Sequence, residues 1–469
     1  MGSVGGMTEP SGLAGVLASR LRALCGPEVE VVGARLLPGG ASRESWDVRV
    51  RVAGGAHHPV VERRLILLRD ADGQARNPDK NVAVEAAAMT AARLAGIPVA
   101  EIYDYGQGAL GQAYLLMERL DGETIPRRLL RDEAYAAVRP GLARRLGEIL
   151  AWIHQVDPDT VPGLPRVDAL GQLTGLYQGF GEPRPALEIG LRWLAEHRPA
   201  PTAETLVHGD FRTGNLMVDQ DGLRGVLDWE LAHRGDPRQD LGWLCTKAWR
   251  FGSPSPVGGF GARTDLMAGY AAAGGSPPDE ETQRWWELYG TVRWALLCRR
   301  QAERYLAEGE PSIELAVLGR RVCEQEWDIL LALGYTAPLT VPDPLEGLKG
   351  HAATPHDRPS GPELLRAVRE FLTTEGGFGA GSDPRLRFHA RVAANALRIA
   401  EREAMLATAH AQNHRTRLAA LDCEDDAELC AKIRGGSLDR RFGEVVAAVR
   451  ATTVDKLIVA HPGHLAIPG

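Results

Sequence analysis

The stretch that decides the fold is His208-Gly209-Asp210-Phe211-Arg212-Thr213-Gly214-Asn215, followed by Asp228 in Val226-Leu227-Asp228-Trp229-Glu230. Two short apolar runs, LMV at 216–218 and GVL at 225–227, flank a polar turn and predict a hairpin that carries these loops. Asp210 and Asn215 then lie at the two sides of a tight loop that brings both side chains to one pocket. Asp228, at the end of the second run, presents its carboxylate to the same place. Phosphoryl transfer needs a carboxylate to accept or orient a hydroxyl proton, and hard oxygen ligands to hold a divalent cation on the phosphates. Asp210 is the expected base. Asn215 and Asp228 are the expected magnesium ligands. His208 is expected to pack and to hydrogen-bond backbone, without a chemical role.

Working outward, residues 12–25 have helical apolar spacing. Strands are expected at 29–37, 46–52 and 60–68, where β-branched or alternating segments are cut by Gly and Pro. A helix follows at 82–94 and ends at Gly96 and Pro98; further strands read at 101–105 and 113–118. The first 120 residues are thus a small antiparallel sheet carrying one helix. Between two of its strands, Pro38–Glu44 offers Gly39, Gly40 and Ser42, small residues that let backbone amides approach phosphates. The segment 262–334 is mostly helix.

The spacing His208, Asp210, Asn215, Asp228 resembles the catalytic loop of the protein-kinase-like superfamily. In its H-G-D-x-x-x-x-N form it resembles the aminoglycoside phosphotransferase family. GVLDWELAHRGDPRQDLGWL, at 225–244, is similar to that family's magnesium loop. The nearest likeness is to the branch related to the kinase portion fused to some acyl-CoA dehydrogenases, and it covers about the first 340 residues. The resemblance implies an α+β, two-lobe protein-kinase-like fold, with a small antiparallel-sheet N-lobe and a mainly helical C-lobe, followed by a separate all-α domain. The expected divisions are an N-lobe at 1–120, a C-lobe at 121–338, a Pro/Gly-rich linker at 339–360 and a helical domain at 361–469. Arg69 stands where the family places a phosphate-pairing Lys, a departure that keeps the charge and changes its geometry. Glu85 is its expected ionic partner. Met117, Glu118 and Leu120 fall in the interlobe hinge that meets adenine. Asp240 resembles the family's loop brace. ATP and Mg2+ are the implied cofactors.

The acceptor is less legible. The helix around 284–304 carries Arg284, Arg293, Arg299, Arg300 and Arg304 against Glu287 and Glu303. If it forms the acceptor wall, Arg293 and Arg300 favour an anionic hydroxyacyl-CoA or hydroxy acid. A solvated cationic face over an aromatic core is the plainer reading. Two rivals stand beside this one: an aminoglycoside or macrolide antibiotic kinase, and a nucleotide-binding pseudokinase acting as a regulatory module. The last hundred residues show no chemistry. His410 and His414 share a helical face without the acid of a zinc motif, so they read as a surface pair. The segment reads as a module for a homodimer or protein partner.

Composition agrees. The chain has 469 residues and a net charge of −7, which argues against a nucleic-acid partner. No uninterrupted apolar run reaches the roughly 18 residues of a membrane span, and no secretory signal is evident, so a cytoplasmic location is expected. Six cysteines without a CxxC pair read as free thiols.

Overall fold

The computed structural model describes residues 13–26, 29–37, 43–52, 61–70, 81–108, 110, 113–308, 312–346, 361–373 and 383–469. Helix α1 (Leu13–Cys25) precedes strands β1 (Val29–Leu36), β2 (Glu44–Val52) and β3 (Val61–Arg69). Helix α2 (Val82–Leu94), β4 (Ile102–Gly106) and β5 (Tyr114–Glu118) follow. The five strands form one antiparallel sheet in the order β1-β2-β3-β5-β4. Alternation gives the sheet its apolar face: Trp46, Val48 and Val50 of β2 and Leu65 and Leu67 of β3 share a core with Leu13, Leu17 and Leu21 of α1. Asn81 caps α2 by accepting from the Ala83 amide at 3.0 Å.

Then come α3 (Pro126–Arg131), α4 (Arg139–Gln155), α5 (Ala169–Phe180) and α6 (Pro185–Glu196). Strands β6 (Thr205–Val207) and β9 (His233–Gly235) pair antiparallel, and between them β7 (Leu216–Asp219) and β8 (Gly222–Val226) form the expected hairpin. Next are α7 (Arg238–Cys245), α8 (Arg263–Ala272), α9 (Glu280–Leu306), α10 (Ile313–Leu318) and α11 (Val322–Ala332). The chain ends with α12 (Gly361–Thr373), α13 (Pro384–Ala420), α14 (Asp426–Arg434), α15 (Phe442–Ala460) and a 3-10 turn, Pro462–Ala466. The expected small antiparallel sheet with a helical remainder is present.

Contacts divide the chain into two compact units. The first holds the described residues up to Val167, with Pro201–Leu244 and Trp249–Pro277. It contains the sheet and both polar loops. The second gathers Asp168–Ala200, Cys245–Ala248 and the chain from Pro278 onward. Within it, Trp285, Trp286 and Tyr289 of α9 are buried against Leu187, Leu191 and Leu194 of α6. Ala186, Ile189 and Leu330 share another core with Leu418, Leu421, Leu429, Val445 and Val449. The C-terminal helices therefore pack with α6 and α11 in one unit, and the contact division does not follow the expected boundaries at 338 and 361. The described part of the expected linker is pinned as well. The Leu339 amide donates to the Leu465 carbonyl at 2.8 Å, and Arg402 grips both oxygens of Asp343. Residues 347–360 of that linker lie outside the described residues.

Cys245, Cys298, Cys323, Cys423 and Cys430 are free and buried. Among the described residues, no helix is long and apolar enough to cross a membrane.

Helices α4 and α8 of the first unit touch through glycine. A Cβ on Gly147 would lie 2.0 Å from the Leu266 carbonyl oxygen, and one on Gly269 would lie 1.9 Å from that of Arg144. Backbone cannot yield as a side chain can, so a methyl group here wedges the pair apart. Gly269→Ala is expected to lower the thermal midpoint by several degrees, on the order of 1–3 kcal/mol. Gly175→Ala, where a Cβ meets open space, should leave it unchanged or slightly higher. Equal midpoints for the two variants would contradict the close crossing.

Candidate active site

The polar loop between β6 and β7 is built around one buried carboxylate. Asp240, in the first turn of α7, is fully buried. Its Oδ2 accepts from the His208 amide at 2.8 Å and its Oδ1 from the Gly209 amide at 2.9 Å. His154 of α4 approaches Oδ2 at 3.3 Å through Nε2 while its Nδ1 meets the Tyr270 hydroxyl at 2.8 Å. Burial alone would raise the Asp240 pKa; the His154 bond and the amides hold it below the usual carboxylate range. Gly209 makes the turn possible. Its φ is +81°, and a Cβ there would stand 2.4 Å from the Leu231 carbonyl oxygen.

His208 packs against Trp229 and Phe211. Its Nδ1 accepts from the Asp210 amide at 3.1 Å, so the proton sits on Nε2, which donates to the Leu227 carbonyl at 3.1 Å. The ring fixes the start of the loop to the end of the hairpin.

Asp210 is gripped from three directions. Trp243 Nε1 donates to Oδ1 at 2.8 Å, Asn215 Nδ2 donates to Oδ2 at 2.7 Å, and Arg212 Nε reaches both oxygens at 3.1 and 3.2 Å. Arg212 is itself laid over the Trp249 ring, 4.5 Å from its centroid. The structure thus brings Asp210, Asn215, His208 and Asp240 into one frame. Trp243 and Arg212 were not anticipated; an indole in a helix and an arginine in a loop carry no sequence signal for this role.

Asp228 lies beyond β8, which ends at Val226, and adopts a left-handed φ of 64°. Few non-glycine residues sit there, and the cost is held by the surrounding loop: Leu227 N donates to Asn215 O at 2.8 Å, and buried Trp229 donates to Val226 O at 3.1 Å. The Asp228 carboxylate keeps an exposed face but is crowded on the protein side. That crowding, then the nearby carboxylates of Glu230, Asp210 and Glu85, push its pKa up to about 7. A carboxylate crowded by like charges in this way fits a divalent cation. So does Asn215: with Nδ2 committed to Asp210, its Oδ1 remains a hard acceptor. Asp228 and the Asn215 amide oxygen would hold magnesium.

The sheet side differs from expectation. The 2.7 Å partner of Glu85 is Arg43 rather than Arg69. Arg43 is buried and also lies 3.6 Å from Asp70 and 3.7 Å from Glu230. Burial weakens its charge, but the carboxylates of Glu85, Glu230 and Asp70 more than offset that and raise its pKa. Arg69, at the end of β3, donates to Glu44 at 3.0 Å and to the Leu110 carbonyl. The reason is geometric. Arg43 enters β2 beside the start of α2, and Arg69 is paired across the ladder with Glu44. Gly39, Gly40 and Ser42 lie outside the described residues. Of the hinge, Met117 and Glu118 end β5. The Glu118 amide donates to Glu101 O at 2.8 Å, and that of Arg119 to Arg64 O at 3.1 Å. Leu120 follows and rests over Gly225 of β8, leaving 2.2 Å for a Cβ there.

Helix α9, with Arg293 and Arg300, belongs to the second unit. Its arginines are largely met by acids of that unit: Arg299 by Glu182 and Glu303, Arg300 by Glu308. Arg293 is half-buried.

Residues 48–276 match the phosphotransferase enzyme family, APH. That segment is an APH phosphotransferase domain. Residues 380–464 match a second family, DUF6285, described as a domain of unknown function. Acyl-CoA dehydrogenase family member 10 of Mus musculus is 28% identical over 211 residues, 40% of this chain and 18% of that protein. "Probable acyl-CoA dehydrogenase IBR3" of Arabidopsis thaliana is 29% identical over 159 residues, 29% of this chain and 19% of that protein. The chain spans about a fifth of the length of the curated relatives it matches. A crystal structure from Ralstonia eutropha, of a protein assigned as an aminoglycoside phosphotransferase, superposes with a TM-score of 0.51. It is 21% identical, covering 68% of this chain and 98% of that one. That likeness carries the kinase-like fold, and the family match places residues 48–276 with the phosphotransferase enzyme family.

The buried imidazole gives a pH test. Burial holds the His208 pKa below its ordinary 6.5 despite the nearby Asp240 and Asp210 carboxylates. Above pH 6.5 the ring is neutral in both folded and unfolded chains, so its contribution is fully present. As pH falls below 6.5 the unfolded chain takes up a proton that the native ring refuses, and stability is lost. Urea midpoints between pH 7.5 and 5.5 should therefore fall more steeply for the wild type than for His208→Gln. Parallel slopes would contradict the buried neutral ring.

Proposed function

We propose that the chain transfers the γ-phosphoryl group of ATP to the hydroxyl of an anionic small molecule, a hydroxyacyl-CoA or a hydroxy acid. The observation that carries this is the fixed Asp210 carboxylate, oriented by Trp243, Asn215 and Arg212 and in electrostatic reach of Asp228. Asp210 accepts the proton of the acceptor hydroxyl as its oxygen bonds to the γ-phosphorus; the bond to the β–γ bridging oxygen breaks and ADP leaves. Little covalent chemistry falls to the protein, so positioning and charge neutralisation supply most of the acceleration. Magnesium held by Asp228 and Asn215 would neutralise phosphate charge. Arg43 and Arg69 are the cations on the sheet side for the phosphates, and the chain from Met117 to Leu120 is the adenine edge.

The acceptor class rests on the curated relatives that share this segment, which carry acyl-CoA dehydrogenase names.

An ADP-release assay with hydroxyacyl-CoAs and hydroxy acids, against kanamycin-type aminoglycosides and macrolides, tests the reading. Acceptor-dependent ADP with the acyl or acid substrates supports it. Turnover confined to the antibiotics overturns the acceptor class. Asp228→Asn should weaken magnesium-ATP binding at least ~10-fold in calorimetry, because the strongest oxygen ligand loses its charge. Unchanged binding would remove Asp228 from the metal site.

A further inference from the structure

A second set of ligand atoms lies in the helical unit, far along the sequence from the catalytic loops. Glu324 of α11 and His461 and His464, either side of Pro462-Gly463, each bring one ligand atom to a space where all three atoms lie within 4.8 Å of one another. We propose that Glu324, His461 and His464 form a binding site for a borderline divalent transition ion, zinc before others, that clasps the C-terminal turn to α11.

The donor set is the first argument. Two imidazoles and one carboxylate suit zinc and its neighbours and are poor for magnesium or calcium, which prefer oxygen. With metal–ligand bonds of about 2.0–2.2 Å, tetrahedral ligand atoms stand about 3.3–3.6 Å apart, so the three atoms need close by little more than an ångström at most. His461 precedes the 3-10 turn and His464 lies within it, with their ring centroids 5.7 Å apart.

The bracing is the second. His464 donates from Nε2 to Asp328 Oδ1 at 3.0 Å, which leaves the lone pair on Nδ1. A carboxylate behind a histidine in this way fixes tautomer and ring and strengthens the ligand. Asp328 is itself anchored by Lys247 at 2.7 Å, which also holds the Ile467 carbonyl at 2.9 Å, and its second oxygen is buried without a hydrogen-bond partner.

The third is the placement of Glu324. Oε2 accepts from Arg321 at 3.0 Å, and Oε1 meets His461 Nδ1 at 3.0 Å. Binding puts the metal where the His461 Nδ1 proton lies; that proton passes to Nε2 of the ring through solvent, and Arg321 keeps the outer oxygen. Glu324 and His464 are buried and His461 is exposed, which leaves an open side for a water ligand. Trp327 of α11, Leu457 of α15 and Leu465 of the turn share one apolar cluster, which joins the three elements that carry the ligands. His410 and His414, the pair that sequence spacing singled out, are turned to Asp455, Thr452 and Asp426.

The full chain, stripped with chelator, is titrated with zinc by calorimetry and with cobalt(II) by absorption. The expected result is one ion per chain, nitrogen-type cobalt bands, and a thermal midpoint raised by zinc. His461→Gln and Glu324→Gln should each weaken binding at least ~10-fold and abolish the shift. His461 is at the surface, so its variant should keep the wild-type circular dichroism. Asp228→Asn should bind zinc as the wild type does, which separates this site from the catalytic loops. No zinc binding by the wild type, or equal binding by the wild type and His461→Gln, overturns the proposal.

Discussion

The active loop depends on the burial of one charge. A carboxylate removed from water and left unpaired costs several kcal/mol, so Asp240 constrains everything that can satisfy it. Its partners are two successive amides, those of His208 and Gly209, and the ring of His154. Accepting both amides forces the chain to turn at Gly209, where only a residue without Cβ fits under the Leu231 carbonyl. The turn delivers Asp210, and His208 then ties that residue's amide to the end of the hairpin. Asp210 is thus placed by a chain of hydrogen bonds that begins in the core. The α4–α8 glycine crossing belongs to the same chain, because it brings His154 and Tyr270 together behind Asp240.

Opposing charge shapes the remaining part. Glu230, Asp210 and Glu85 lie close enough to push the Asp228 pKa up, and buried Arg43 pairs with Glu85 and lies 3.7 Å from Glu230. Arginine keeps its charge under such burial more readily than lysine would. The geometry leaves Asp228 the least neutralised member, which is where a divalent ion gains most.

The loops were legible because their chemistry needs fixed residue types at fixed spacing. His208, Asp210, Asn215 and Asp228 announce themselves in order, and the sheet and hairpin follow from alternation and turn residues. Four things were not legible. Glu85 has two candidate arginines, and only the ladder, which pairs Arg69 with Glu44, decides between Arg69 and Arg43. Asp228 was expected to end a strand; its positive φ follows from tertiary ties that no local pattern encodes. The packing of α14 and α15 on α6 and α11 uses Ala186, Ile189 and Leu330, whose spacing says only that they are buried, not by what. The pairing of Glu324 with His461 spans 137 positions and is equally invisible in the sequence.

The most direct test of the central claim follows labelled phosphate from [γ-32P]ATP to a hydroxyl acceptor in single-turnover mixtures of wild type and Asp210→Asn. The substitution keeps shape and an acceptor oxygen but removes the carboxylate charge. The account predicts a transfer rate lower by on the order of 10²–10⁴-fold with magnesium-ATP affinity unchanged within about threefold. Transfer at the wild-type rate would contradict it.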